Sequence, residues 1–401
     1  MNVHDLLPSL AQEKGEKIVF VVFDGLGGLP DRVSGKTELE AASKPNLDRL
    51  AKKGQLGLID PVGPGITPGS GPGHLGIFGY DPLEYQVGRG VLESFGIGFE
   101  LNEIDLAARI NFCTLDGEGR ITDRRAGRIP TEECERLTAL LEGIEIPGVE
   151  VFVRPVKEHR AAVIFRGDGL EDGLTDSDPQ ATGVEPDPVR ALKPEAERSA
   201  EIANRWIAEA RERLRGEERA NGLMLRGISR YRPFPSFRER YGLRAVALAL
   251  YPMYRGLARL VGMDVLDVKG SNASSFEAVT AHYNEYDFFF VHIKDTDKAG
   301  EDGDGEAKRK AIEKTDRLFA RLDDLPDKVV IVTGDHSTPS QLKSHSWHPV
   351  PFLIQGRTVR PDDRARFGES DCSGGSLGRF PAIHILPLAL AHAGRLKKFG
   401  A

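Results

Sequence analysis

The chain has 401 residues, 40% of them hydrophobic and 29% charged, and a formal net charge of -7. This acidic balance argues against nucleic-acid and membrane-surface partners, and no apolar run approaches the length needed to span a membrane. The first twenty residues lack a secretory apolar segment, and the three cysteines have no metal or redox spacing, which together predict a cytosolic protein.

The first predicted strand, 17–23, is an apolar run that ends directly before Asp24. Asp-Gly after a strand is often a simple turn, but the carboxyl end of a buried parallel strand is also where metal ligands are found. A helix is predicted over 44–53, and a Pro/Gly-rich loop then leads to Ser70 ahead of a stretch with helical spacing. Ser70 is therefore either a helix cap or a nucleophile beside backbone N–H groups that can hold a phosphate.

The central part of the chain differs in kind from both ends. Because 401 residues exceed a typical single domain, we predict an inserted substrate-binding domain over 96–239. The remaining segments, 1–95 and 240–401, carry the candidate metal ligands and form the other predicted domain. Within the inserted block, 168–195 is an acidic loop rich in Gly and Pro, and 193–215 is a predicted helix with alternating charges.

Arginine-rich segments lie in this block and just beyond it. ITDRRAGRIP contains Asp123, Arg124 and Arg128 ahead of a helix predicted over 131–141. Guanidinium groups bind carboxylate and phosphate through paired hydrogen bonds, although arginines in a chain with 54 Lys plus Arg are also ordinary surface groups. Further candidates of this kind are Arg160, Arg226 and Arg255.

A second possible metal site follows the strand predicted over 287–293. Asp297 and Glu301 are four residues apart in KDTDKAGEDGDG and can face one ion if that turn is helical. Carboxylate oxygens favour a hard cation such as Mn²⁺ or Mg²⁺. The alternative interpretation is an acidic, solvated loop.

The next predicted strand, 328–333, leads into Gly-Asp-His-Ser-Thr-Pro, where Asp335 and His336 are adjacent ligand-type residues without a packing role. Farther along, His345 and His348 are competing imidazoles before a strand predicted over 350–355. Helices are also predicted over 306–322 and 382–393. Strands alternating with helices in this way indicate α/β layers around a largely parallel sheet.

The order and text of the motifs resemble the alkaline phosphatase superfamily and, within it, the archaeal-type cofactor-independent phosphoglycerate mutases. The resemblance covers nearly the whole chain and rests on these segments: FDGLGG, TPGSGPGHLGIFGYDP, VGRGVLE, DRRAGR, TDSDP, VHIKDTDKAG, GDHSTP and HSWHPVP. It implies an alkaline-phosphatase-like α/β fold, with a mostly parallel sheet flanked by helices and an inserted second α+β domain.

The resemblance also implies a role for each matched position. Two divalent metal ions are expected, with Mn or Mg favoured and Co or Zn also compatible. One ion would be held by Asp24, Ser70, Asp335 and His336, and the other by Asp297, Glu301 and His345. Ser70 would be the phosphate-accepting nucleophile and Asp123 a general acid or base. The expected substrate contacts are Arg124, Arg128, Arg160, Arg226 and Arg255.

Three parts of the sequence, five residues in all, depart from the family pattern. Glu301 stands where members usually carry His, which should move metal preference from zinc or cobalt toward manganese or magnesium. Gly71-Pro72-Gly73 replaces a more usual Asp-Thr-Ala after the nucleophile, and Arg255 stands where relatives carry Lys.

The function implied is the interconversion of 3-phosphoglycerate and 2-phosphoglycerate through a phosphoserine, without a bisphosphorylated cofactor. The small phosphoglycerate is the expected partner, and the oligomeric state is left open by the sequence. Alternatives on the same metal core are a phosphopentomutase, a metal-dependent phosphatase or a homoserine kinase. A catalytically silent metabolite-binding protein is the alternative outside the enzymes.

Overall fold

The computed structural model describes residues 3–400 and forms two compact units. Unit 1 runs to Gln86 and resumes at Phe234, and unit 2 is the inserted segment Val87–Pro233. Both boundaries lie earlier in the chain than the predicted 95/96 and 239/240. The segment after 86 begins a helix that packs on the sheet of unit 2, whereas Phe237 packs against Phe78 in unit 1.

The α-helices, in chain order, are α1 Val3–Leu10, α2 Glu38–Ala41, α3 Pro45–Lys52, α4 Ser70–Ile77, α5 Arg89–Gly96, α6 Thr131–Leu141, α7 Glu197–Leu214, α8 Phe237–Tyr241, α9 Pro252–Leu260, α10 Asn272–Ala281, α11 Asp295–Asp302, α12 Gly305–Asp316, α13 Glu369–Ser373 and α14 Ile385–His392. Short 3₁₀ helices cover Ala126–Arg128, Pro194–Ala196, Arg317–Leu322 and Ala382–His384. None of the helices in the described part of the chain is long and apolar enough to cross a membrane.

The strands are β1 Lys17–Phe23, β2 Gln55–Asp60, β3 Asp105–Leu115, β4 Ile121–Asp123, β5 Glu150–Lys157, β6 Arg160–Arg166, β7 Gly222–Arg230, β8 Ala245–Leu248, β9 Asp264–Val265, β10 Phe288–Ile293, β11 Lys328–Thr333, β12 Val350–Gln355 and β13 Gly378–Pro381. The strands predicted over 17–23, 328–333 and 350–355 are confirmed with these bounds.

Unit 1 is built on one eight-stranded sheet in the order β13-β2-β12-β11-β1-β10-β8-β9. Only the β11/β12 and β12/β2 pairs are antiparallel, so the prediction of a mostly parallel sheet flanked by helices is confirmed. The central strands are buried along almost their whole length and largely apolar, because helices cover both faces of such a sheet. This buried centre gives the ends of β1, β10 and β11 a rigid support.

Unit 2 is an antiparallel sheet of five strands with two longer helices, as the predicted α+β insertion requires. Strand β3 lies between β6 and β7, and β5 and β4 complete the sheet. Alternate residues of β3, from Leu106 to Phe112, enter a core that includes Leu137 of α6 and Trp206 of α7. The intervening residues of β3 face the opposite side of the sheet.

Candidate metal centre and anion-binding face

Three parallel strands of unit 1 end at one edge of its sheet. Val22 of β1 is level with His292 of β10 and with Thr333 of β11. The segments that follow these strands therefore emerge together, which brings Asp24 and Asp335 to the same place. This is the edge at which ligands bind in open α/β sheets.

The first cluster consists of Asp24, Asp335 and His336, all fully buried, whose ligand atoms lie within 4.8 Å of one another. His336 Nε2 is 3.3 Å from an oxygen of Asp24 and 3.2 Å from an oxygen of Asp335. Ser70, the first residue of α4, places its Oγ 3.3 Å from the same nitrogen. The structure therefore gathers all four residues that the sequence assigned to one ion.

Burial alone would raise the pKa of Asp24, but the imidazoles of His292 and His336 and the ammonium of Lys294 outweigh it and hold that pKa well below its ordinary value. His336 shows the opposite balance. Burial lowers its pKa, but the carboxylates of Asp335 and Asp24 more than compensate and raise it to about 9. The cluster thus keeps its carboxylates ionised although it is buried.

The donor set of this cluster fits a divalent cation. Asp24 Oδ1 and Asp335 Oδ2 are buried, and neither accepts a hydrogen bond with acceptable geometry from any residue between 3 and 400. The imidazoles of His336 and His74 approach these oxygens without forming well-aligned hydrogen bonds, and buried carboxylate oxygens in that state are costly unless a cation is bound. Two carboxylates, an imidazole and a hydroxyl match the preferences of Mn²⁺, Mg²⁺ and Zn²⁺.

A second cluster, Asp297, His336 and His345, adjoins the first, and its ligand atoms also lie within 4.8 Å of one another. The rings of His336 and His345 stack with centroids 3.6 Å apart, so His336 borders both clusters. His345 Nδ1 lies 2.9 Å from the carbonyl oxygen of Pro68. Because that oxygen can only accept, Nδ1 carries the proton and Nε2 is free to bind a cation.

Glu301 lies at the margin of this cluster, whereas His348 lies outside it. The side chain of Glu301 is 54% exposed, and its Oε1 is 3.7 Å from His345 Nε2. His348 belongs to neither cluster, and its Nδ1 contacts the hydroxyl of Ser346. Of the two imidazoles that the sequence left in competition, His345 is the one gathered with Asp297.

Several residues of the centre escaped sequence analysis. Lys294 Nζ donates to Asp24 Oδ2 at 3.0 Å and to Asp297 Oδ2 at 2.6 Å, so one ammonium joins a carboxylate of each cluster. Tyr254 on α9 donates its hydroxyl to Asp24. Lys294 directly follows β10, so its position at the end of a predicted strand could have identified it as a site residue. The sequence around Tyr254 contains no pattern that predicts its contact with Asp24.

Thr338 and His74 contact the proposed metal ligands from outside the two clusters. The Thr338 hydroxyl donates to Asp297 Oδ1 at 2.7 Å and lies 3.0 Å from His336 Nδ1. His74 Nδ1 lies 2.9 Å from the Ser70 carbonyl oxygen and 3.0 Å from Asp335 Oδ2. Partners of this kind fix the orientation of ligands and are usually needed for full metal affinity.

In unit 2, the ITDRRAGR segment forms a tight turn around a carboxylate. Asp123 accepts the backbone N–H groups of Arg125 at 2.7 Å and Gly127 at 2.8 Å. Three successive residues of the turn, Ala126, Gly127 and Arg128, have positive φ angles, which is costly for the two that are not glycine. Asp123 therefore stabilises the turn that displays Arg128 to solvent.

One face of the unit 2 sheet is polar and strongly cationic. Arg109 pairs with Arg226 across β3 and β7, and Asn111 pairs with Arg160 across β3 and β6, so these side chains share a face. Arg109 is 8% exposed, and burial and then the charge of Arg89 lower its pKa to about 10. We call the set Arg89, Arg109, Arg160 and Arg226 the cationic face.

The carboxylates near this face are largely engaged. Arg124 makes two hydrogen bonds to the buried Asp178, at 3.0 and 2.7 Å, and Arg226 lies 3.4 Å from the same carboxylate. Asp176 accepts the backbone N–H of Gly227 at 2.7 Å. Glu93 lies 3.8 Å from Arg109, so five arginines (the cationic face and Arg124) are set against three carboxylates, and positive charge remains in excess, as at a site for an oxyanion. Arg89 and Arg109 were not singled out from the sequence.

Arg255 is placed apart from the other predicted arginines, because it lies on α9 of unit 1. Its Nη1 is 3.6 Å from Asp267, and it follows Tyr254 directly in the chain.

The chain was compared with known proteins. A family model described as 2,3-bisphosphoglycerate-independent phosphoglycerate mutase matches residues 51–219. A probable enzyme of that description from Thermus thermophilus is 49% identical over 406 residues, covering 100% of both chains. Its counterpart from Aquifex aeolicus is 48% identical over 407 residues, covering 99% of this chain and 100% of the relative.

Two solved structures resemble the whole chain. A protein from Pyrococcus horikoshii aligns with a TM-score of 0.84 and 33% identity over 96% of this chain and 100% of that one. The cofactor-independent phosphoglycerate mutase of Thermoplasma acidophilum aligns with a TM-score of 0.71 and 30% identity over 94% of this chain and 100% of that one.

Proposed function

The chain belongs to the family of 2,3-bisphosphoglycerate-independent phosphoglycerate mutases, and from that membership we propose that it interconverts 3-phosphoglycerate and 2-phosphoglycerate through a phosphoserine at Ser70. The resemblance inferred from the motifs is confirmed by relatives that are nearly half identical over their full length. The family consists of isomerases. A cytosolic location remains part of the proposal.

One observation carries the phosphoserine proposal. Ser70 Oγ lies 3.3 Å from His336 Nε2, at the first position of α4 and beside two buried carboxylates. A serine hydroxyl is a poor nucleophile at neutral pH, and a neighbouring divalent cation would lower its pKa. The backbone N–H groups of Ser70 and Gly71 at the start of α4 would meanwhile hold the phosphoryl oxygens.

We further propose that the centre holds two divalent ions. Asp24, Ser70, Asp335 and His336 would hold one, and Asp297, Glu301 and His345 the other, with Mn²⁺ or Mg²⁺ favoured by the carboxylates. When bound, the ions would stabilise the nucleophilic oxygen and the charge that develops on the phosphoryl group.

The reaction balances without another reactant. Ser70 Oγ attacks the phosphorus of 3-phosphoglycerate, the bond from phosphorus to O3 breaks, and the proton of the serine hydroxyl is transferred to O3. Glycerate and phosphoserine result. O2 of the retained glycerate then attacks the phosphorus of phosphoserine, the bond from phosphorus to Oγ breaks, and the O2 proton is transferred to Oγ, which restores Ser70 and gives 2-phosphoglycerate. Water must be excluded between the two steps because hydrolysis would convert the mutase into a phosphatase.

Unit 2 would supply the contacts that retain glycerate. We propose that the predicted arginines of unit 2 (Arg124, Arg128, Arg160 and Arg226) bind the anionic groups, with Arg89 and Arg109 added from the cationic face. Asp123 remains the proposed acid or base, although its two oxygens also accept N–H groups of its own turn. Arg255 of unit 1 would act through its charge, since arginine does not release a proton at neutral pH.

The proposal is tested by supplying 3-phosphoglycerate with Mn²⁺ and no bisphosphoglycerate and following both 2-phosphoglycerate and inorganic phosphate. We expect isomerisation without net phosphate release in the natural chain. Ser70→Ala should lower kcat at least a thousandfold because the covalent route is removed. Phosphate release without 2-phosphoglycerate would identify a phosphatase instead, and ATP-dependent phosphorylation of homoserine would identify a kinase.

A further inference from the structure

A buried lysine outside the proposed ligand set joins the two loops that carry the first metal cluster. Lys308, on α12, is fully buried, and its Nζ donates to the carbonyl oxygens of Gly27 and Thr338, both at 2.9 Å. Gly27 lies three residues after Asp24, and Thr338 lies two residues after His336. The ammonium therefore links the segment after β1 to the segment after β11.

The two loops are in direct contact at this point. The Thr338 N–H donates to the Gly27 carbonyl oxygen at 3.0 Å, so that oxygen accepts from both Thr338 and Lys308. A Cβ added at Gly27 would lie 1.9 Å from Ser337 Oγ. The contact leaves no room for a side chain at Gly27, and Lys308 donates to both loops at the point where they meet.

Thr338 connects the lysine to the proposed metal ligands. Its hydroxyl donates to Asp297 and lies beside His336 Nδ1, while its carbonyl oxygen accepts from Lys308. Holding the Thr338 backbone in place thus orients one ligand from each cluster.

Burying an ammonium is costly, and an apolar side chain would fill the same space at lower cost. Burial lowers the pKa of Lys308, and the carboxylates of Glu38, Glu369 and Asp297 oppose that shift. The buried ammonium donates to one backbone carbonyl oxygen of each metal-binding loop.

We propose that Lys308 is a positioning residue for the metal centre: it fixes the loop of Asp24 against the loop of Asp335 and His336, and through Thr338 it sets the orientation of Asp297. This inference rests on the proposed function in so far as that function assigns metal ions to these residues. It concerns metal affinity and does not depend on which phosphate ester is the substrate.

The experiment measures Mn²⁺ affinity of the purified chain by electron paramagnetic resonance, without substrate. Lys308→Met should weaken Mn²⁺ binding at least tenfold. The matched control is Lys310→Met, which removes a 68% exposed lysine from the same helix and should change the affinity less than twofold. The melting temperature of each metal-free variant is recorded in parallel.

A purely structural role would lower the melting temperature of Lys308→Met and leave its Mn²⁺ affinity unchanged, which would overturn the proposal. The Mn²⁺ affinity of Thr338→Val, in which a methyl group replaces the hydroxyl, is measured alongside. We expect its Mn²⁺ affinity to fall severalfold, and an unchanged value would refute the proposed relay even if Lys308→Met does not fold. If the natural chain binds Mn²⁺ but does not isomerise phosphoglycerate, the proposed function fails while this inference is still tested.

Discussion

At the scale of single residues, the acidic and basic side chains of the metal centre are buried and must neutralise one another. Asp24, Asp335 and Asp297 are buried around His336, at 3.3, 3.2 and 4.0 Å from its ring nitrogens, and Lys294 bridges the clusters with one ammonium. Such an arrangement is stable only while every charge has a partner, since an unpaired buried charge costs several kcal/mol.

Glu301 is the residue at which metal choice should be decided. Replacing this carboxylate by an imidazole should favour Zn²⁺ and Co²⁺ over Mn²⁺, because borderline cations prefer nitrogen ligands. We expect Glu301→His to change the ratio of the Zn²⁺ and Mn²⁺ dissociation constants on the order of tenfold. The neighbouring exposed variant Asp302→His is the control and should leave the ratio unchanged. If the ratio of the Zn²⁺ and Mn²⁺ dissociation constants in Glu301→His equals that in Asp302→His, Glu301 is excluded as a ligand.

His159 should make unit 2 sensitive to acid. This side chain is 2% exposed, and burial and then the charge of Arg160 lower its pKa to about 4. The unfolded chain binds a proton at a pKa near 6.5, so stability is lost as the pH falls from about 6.5 through 4. His159→Gln should remove about 3 kcal/mol of this loss, measured by denaturant unfolding at pH 7 and pH 4. Parallel pH dependences in the two proteins would contradict the prediction.

At the scale of elements, the loop after β1 requires glycine at more than one position, and Gly25 is the one beside the second cluster. Gly25 has a φ of +64°, and an added Cβ would lie 2.5 Å from Thr338 Oγ1 and 2.8 Å from Asp297 Oδ1. Only glycine allows this loop to pass so close to the second cluster.

A pair of alanine variants separates backbone strain from crowding at this loop. Gly35 has nearly the same φ, +66°, but an added Cβ meets nothing within 4 Å. Both Gly25→Ala and Gly35→Ala should lose about 1–2 kcal/mol of unfolding free energy to the left-handed conformation. Gly25→Ala should lose about 1–3 kcal/mol more by displacing Thr338, and it alone should weaken Mn²⁺ binding. Equal losses in denaturant unfolding would show that crowding has no effect.

The elements that sequence patterns located best are the buried strands and the helices next to them. An uninterrupted run such as 328–333 is diagnostic by itself, and the helix predicted over 131–141 is confirmed with the same bounds. The helix predicted over 306–322 instead ends at Asp316 and continues as a 3₁₀ helix, a distinction that apolar spacing does not encode.

The contacts around the ligands were harder to foresee. Ser70 and Asp335 could be proposed because each stands beside a recognisable strand or helix boundary. Tyr254 and Lys308 could not, since their roles depend on which loops meet across the sheet edge, and that follows from strand order. The cationic face likewise required the register of β3 against β6 and β7, by which Arg109 and Arg226 come to share one side.

At the scale of the whole molecule, metal binding should be linked to the stability of unit 1. A ligand that binds only the folded state at a hundred times its dissociation constant adds about 2.7 kcal/mol to the unfolding free energy. We expect Mn²⁺ to raise the melting temperature of the intact chain in a saturable way, and a chelator to reverse this. Asp335→Asn keeps the shape of a buried ligand but removes its charge, and it should abolish most of the shift. A full shift in that variant would place the ion elsewhere.

The ammonium of Lys294, which lies between Asp24 and Asp297, has a consequence for the order of folding and metal binding. Because this internal counter-ion already neutralises part of the acidic centre, newly synthesised chain can mature to its final shape before it encounters a cation. The metal ions would then bind to the folded protein and replace Lys294 as the partner of these carboxylates. Protein from which the ions have been removed should therefore regain activity when metal is added back.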